Sequence, residues 1–127
     1  MIDAIIDDLI MGTPYLIDKV GNRVRPIVRD EALPCISYKK DSESGELDIS
    51  GFNNGIKQAS ISITTYSRDY SQLKSIAQDM KNHLLMQKGM YNNCTIHLVV
   101  FDGDDDDFDN DSKIYLNESN YTLHFEG

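Results

Sequence analysis

The chain has 127 residues, 40% of them hydrophobic, and a formal net charge of -9 from 12 basic and 21 acidic side chains. That length predicts a single domain over 1-127 with a real core. The acidic balance repels phosphate and argues against groove binding to nucleic acid. The chain opens without a positive leader and has no apolar run of spanning length, so neither a signal peptide nor a membrane span is predicted.

Ile2, Ile5, Ile6, Leu9 and Ile10 recur at helical spacing, with Asp3, Asp7 and Asp8 on the other side. Gly12 and Pro14 predict the end of that helix. From Thr13 to Glu31 the pattern weakens. Val20 to Val24 reads as a turn, and Val24, Ile27 and Val28 as an irregular extended run interrupted by Pro26. Lys19, Arg23, Arg25 and Arg29 make this the one basic stretch of an acidic chain. Such cations are either a solvated loop or an interface for the acids of a neighbouring subunit. Leu33 to Lys40 reads as a strand. Asp41 to Gly55 is polar and predicts a long hairpin loop. Leu47, Ile49 and Phe52 are its apolar anchors, available to order against a partner.

Ile56 to Ser67 alternates cleanly. Ala59, Ile61, Ile63 and Thr65 share one face, and Ser60, Ser62, Thr64 and Tyr66 the other. This half-wet face, Tyr66 included, suits a neighbour. Asp69 then predicts a helix cap, with Gln72 where a capping box returns its bond. Leu73, Ile76, Ala77, Met80 and Leu84 form one stripe, and Gly89 the expected stop. Cys94 to Phe101 is apolar on both faces, as a central strand would be. Asp102 to Asp111 reads as an acidic loop, with Asp104, Asp105 and Asp106 as further interface candidates. Ile114 to Phe125 supplies the last strand or two, with a break expected at Asn117-Glu118-Ser119. The order of elements predicts an α+β fold: an antiparallel sheet of four strands or slightly more, with two helices packed on one face.

Site chemistry is thin. Asp107, Asp109, Asp111 and Glu118 fall at ligand positions of a calcium loop. Ser112 stands where that loop needs glycine, and strands rather than helices flank it. The expectation is no metal site, with a weak oxygen-ligand ion as the remaining reading. Cys94 and His97, three apart on a strand, point to opposite faces and do not suggest zinc. Cys35 and Cys94 are expected as buried free thiols. No catalytic set and no phosphate-cradling glycine loop is visible, so neither an enzyme nor a cofactor is expected.

The segment Leu33 to Gly89 carries a resemblance. Pro34-Cys35-Ile36-Ser37-Tyr38, then Ala59-Ser60-Ile61-Ser62-Ile63-Thr64-Thr65-Tyr66-Ser67, then Leu73 to Leu85 with Ile76-Ala77 at its centre, resemble the tail-completion, or tail-terminator, proteins of tailed bacteriophages. The resemblance implies a curved antiparallel sheet backed by helices. It implies a ring of copies, commonly six, that caps the head-proximal end of the tail tube in the virion. Its partners would be itself, the tube protein and a neck or head-completion protein, with DNA passing through the lumen without specific binding. The acidic stretch Asp102 to Asp111 departs from the family's usual pattern. A head-closure protein of the same virion is the near alternative, and a calcium-binding module on 107-118 the distant one; a calcium titration separates the latter.

Overall fold

The computed structural model describes residues 3–13, 16–21, 23–29, 32–47, 53–91 and 94–126. It is built on one six-stranded mixed sheet, curled into a half-barrel, with helices on one side. In chain order the elements are α1 (Asp3–Met11), α2 (Leu16–Val20), β1 (Val24–Pro26), β2 (Cys35–Leu47), β3 (Asn53–Ser67), α3 (Tyr70–Leu84), β4 (Gly89–Tyr91), β5 (Cys94–Asp109) and β6 (Ile114–Glu126). The sheet order is β1-β2-β3-β6-β5-β4. β1 runs parallel to β2, and every other neighbouring pair is antiparallel.

The expected four-stranded antiparallel sheet is therefore corrected. The irregular run at Val24 pairs with Ile36 to Tyr38 as β1, a parallel edge strand. The expected helix stop Gly89 instead opens β4, while α3 ends at Leu84 with Leu85 as its cap. Three-residue strands have no periodicity to read; only the neighbouring strand defines them.

The loops also shrink. β2 continues to Leu47 and β3 begins at Asn53, so most of the expected 41-55 loop is paired strand. Ile49 and Phe52 lie outside the described residues. The expected acidic loop is the second half of β5, paired with β6 from Gly103 opposite Asn120 to Asp109 opposite Ile114. β6 passes through Asn117 to Ser119 without a break.

One face of the sheet carries the core. Ala59, Ile61, Ile63, Tyr121, Leu123, Phe125, Ile96 and Val99 are buried there. α1 lays Ile6, Leu9 and Ile10 across Ile61, Ile63, Tyr121 and Leu123, leaving an apolar gap of about 10 Å³. α3 buries Leu73, Ile76, Ala77, Met80 and Leu84, as its stripe predicts. The alternation of β3 also holds: its Ser60, Ser62, Thr64 and Tyr66 face away from the helices, half-buried. Cys35 and Cys94 are buried and free.

The start of α3 shows how local chemistry sets an element. Asp69 accepts a hydrogen bond from the Ser71 amide at 3.0 Å. Gln72 does not return to the Asp69 amide as a capping box would. Ser67 takes that role: its hydroxyl accepts from the Asp69 amide at 3.1 Å and donates to Gln72 Oε1 at 2.8 Å. Asp69→Ala should cost about 1 kcal/mol in urea unfolding, the usual value of an N-cap. A loss below a few tenths would show that Ser67 alone suffices.

Candidate functional site

The basic stretch does not act as one surface. Lys19 Nζ reaches Asp79 Oδ2 and Ser75 Oγ, both at 2.9 Å, and ties α2 to α3. Asp79 thus pairs with Lys19, while His83 packs beside Gly12 at the end of α1. Burial there lowers the His83 pKa. Arg23 donates to the carbonyls of Pro34 at 2.8 Å and Lys19 at 3.3 Å, holding the end of α2. Arg29 lies over the Tyr66 ring, 5.7 Å from its centroid, so two candidates from distant segments meet. Arg25 is exposed on the edge strand β1. Leu47 closes the described part of β2, opposite Asn53.

The three central acids divide by strand alternation. Asp104 and Asp106 face α3; Asp105 faces the other way. Asp106 accepts from Asn117 Nδ2 at 2.7 Å, from the Tyr70 hydroxyl at 2.9 Å and from Lys74 Nζ at 3.0 Å. Asn117 donates also to Asp104 at 3.1 Å and accepts from the Ser119 hydroxyl at 2.8 Å. The Asn117 amide first, and then Lys74 and Tyr70, hold the Asp106 carboxyl below the ordinary carboxylate range. The same contact with Asp106 raises the Lys74 pKa. This seam is structural: it lashes the acidic strand to the helix. Beyond it Phe108 packs on Tyr115 at 4.7 Å between centroids, and Tyr115 on Tyr70 at 5.4 Å.

The suggested calcium ligands are not gathered by the same strand pairing. Asp107 lies opposite Leu116 and Asp109 opposite Ile114; Glu118 lies opposite Asp105. Asp109 is held below the usual range by the Ser112 hydroxyl and the Asp111 amide. Among the described residues, no three His, Cys, Asp or Glu side chains come together as a metal site.

What the fold does present is the face of the sheet without helices, with its two edges. Ser37 and Tyr66 hydroxyls meet at 3.2 Å. Ser62 Oγ lies 2.5 Å from Asp41 Oδ2 and 2.9 Å from Asn120 Oδ1. Thr122 donates to Asp102 at 2.5 Å. Hydroxyls, an amide and the carboxylates of Asp41 and Asp102 so linked form a polar surface on the curled sheet that can exchange hydrogen bonds with a protein partner. Sequence reasoning found this face from β3 but missed the edges. Their only signals were Pro26, which cannot donate within a sheet, and the apolar Ile27-Val28 between arginines.

No protein-family model matches the chain, and no curated protein does. Among solved structures, a chain from the virion of a native gene transfer agent particle shares this fold, with a TM-score of 0.76. The two are 13% identical, and the match covers 94% of this chain and 90% of that one. Architecture is thus shared over nearly the whole of both chains, with little sequence in common.

Proposed function

We propose that the protein is a structural component of a tailed-phage virion that forms a ring at the head-proximal end of the tail tube. There it ends tube polymerisation and joins tail to neck. The observation that carries this reading is the end-to-end likeness of fold to a chain of a phage-like virion particle. The resemblance of Leu33 to Gly89 to tail-completion proteins points the same way. A half-wet polar sheet face and open sheet edges suit a subunit that contacts copies of itself and stacked partners. A net charge of -9 suits a channel through which DNA slides without adhering.

The test is assembly with and without the protein. Tubes polymerised with it should have a fixed length and carry it at one end, seen by gold labelling in electron micrographs. Tubes made without it should run on to irregular lengths. Unchanged tube lengths, with label absent from the tail, would sink this role. Label on the head side alone would assign the protein to head closure.

A further inference from the structure

The two outer edges of the sheet are open at the same level. β1 covers only Ile36 to Tyr38 of β2, and β4 covers only Cys94 to Ile96 of β5. Among the described residues no strand lies beyond β1, nor beyond β5 from His97 to Asp109. The register links the edges row by row. Arg25 lies beside Ser37, Ser37 beside Thr64, Thr64 beside Glu118, and Glu118 beside Asp105. Arg25 and Asp105 are therefore opposite ends of one row. The adjoining rows run from Val24 to Asp106 and from Pro26 to Asp104.

Strand direction fits continuation. β1 is parallel to β2, and three antiparallel steps lead from β2 to β5. A second copy's β1 placed beside β5 at the same level thus makes an antiparallel pair. Arg23 and Ile27 bond to β2, through Ile36 N–H to Arg23 O at 2.9 Å and Ile27 N–H to Tyr38 O at 2.8 Å. By alternation the Val24 N–H and the carbonyls of Val24 and Pro26 point away from the sheet. Pro26 has no N–H, its carbonyl also accepts from the Val28 amide at 2.6 Å, and that of Val24 from Arg25 Nη1 at 3.2 Å. Among the described residues the edge thus offers one free donor and shared acceptors.

Charge selects the partner. Asp105 stands directly opposite Glu118, a like-charged cross-strand pair that destabilises the edge it sits on. Two β5 edges would set aspartate against aspartate, so self-pairing there is disfavoured. An arginine at the matching row relieves the repulsion. Ile27 and Val28 are each 71% exposed beside Arg25. Ile27 has φ 64 and ends the strand, because the Val28 amide turns back to the Pro26 carbonyl at 2.6 Å.

We infer that the β1 edge, from Val24 to Pro26, docks antiparallel on the β5 edge, from Asp104 to Asp106, of a second copy. The contact is head-to-tail, so the curl of the sheet turns each copy on the last and closes a ring or winds a filament. This inference rests on the self-assembling reading above.

The test is Arg25→Cys with Asp105→Cys in one chain, oxidised at high protein concentration. Antiparallel partners sit about 4.5–5.5 Å apart at Cα, inside the disulfide range. Cys35 and Cys94 are buried and should stay out of the reaction. A ladder of dimer, trimer and larger species on a non-reducing gel is expected from the double variant. The mixed single variants should stop at dimer, and each alone should stay monomeric. No ladder, or an equal one from either single variant, overturns this docking mode. Thermal unfolding like that of the wild type shows that the variants fold. Loss of the ladder with tube-length control intact removes the docking mode alone, whereas failure of tube-length control removes the ring reading.

Discussion

Tyr121→Ala should destabilise the protein by about 3–5 kcal/mol, a large share of the roughly 5–15 kcal/mol that holds a domain together. Tyr121 is fully buried in the middle of β6, opposite Ile61 on β3 and Phe101 on β5. Its ring meets Phe101 edge-on at 5.4 Å, and α1 covers it with Ile6, Leu9 and Ile10. Removing the ring opens a cavity under a strand fixed on both sides, so neighbours cannot collapse into it. Burial pushes the phenol above its ordinary pKa, so the ring is neutral at pH 7. Tyr121→Phe should stay within about 1 kcal/mol of the wild type, because it keeps the packing. Urea midpoints at unchanged slope would measure both. An alanine cost under about 1 kcal/mol would mean that α1 does not cover this part of the sheet.

Asn117→Asp should cost about 3 kcal/mol or more at neutral pH. Asn117 is fully buried and spends both amide hydrogens on carboxylates, Asp104 and Asp106. The substitution replaces the donor by a third carboxylate. Burial and two like charges would raise its pKa in the folded state above the unfolded value of about 3.9. A raised carboxyl pKa costs stability as pH rises above the unfolded value, and the penalty levels off once pH passes the folded one. Variant and wild type should therefore converge below about pH 4. Asp106 in the wild type has the opposite sign. Its lowered pKa contributes stability above the ordinary carboxylate range, and that contribution is lost as pH falls through and below it. Equal pH profiles for the two proteins would disprove the assigned hydrogen bonds.

These two residues mark where sequence reading succeeded and failed. Tyr121 lies on a strand whose apolar alternation is plain. Asn117 was expected at a break, because Asn-Glu-Ser resembles a turn and carries no apolar signal. It lies in a strand because Asp104, Asp106 and Ser119 satisfy its side-chain amide and the strand is paired on both sides, with Asn117 opposite Thr65 of β3 and Asp106 of β5. Aspartate is disfavoured in strands, so a run from Asp102 to Asp109 reads as loop on propensity alone. Lys74 and Tyr70, more than 30 residues earlier, supply the donors that hold it extended.

Among the interface candidates, the sequence showed which residues carry charge and could not show where the charge is spent. Lys19 and Arg23 are taken up by α3 and the 33–34 segment, and Asp104 and Asp106 by the seam. Arg25 and Asp105, in the same two runs, fall on opposite rims by strand alternation and register, with the Arg25 guanidinium bonded to the Val24 carbonyl and its charge felt by Asp7. Local pattern by itself determined α1, the stripe of α3 and the two faces of β3, since each depends on residues within a few turns or pleats. The tertiary structure alone decided the sheet's order, its two edge strands and the extension of the acidic run. Those depend on pairing across long stretches of chain, where a residue's neighbour is chosen by hydrogen bonding and burial rather than by position in the sequence.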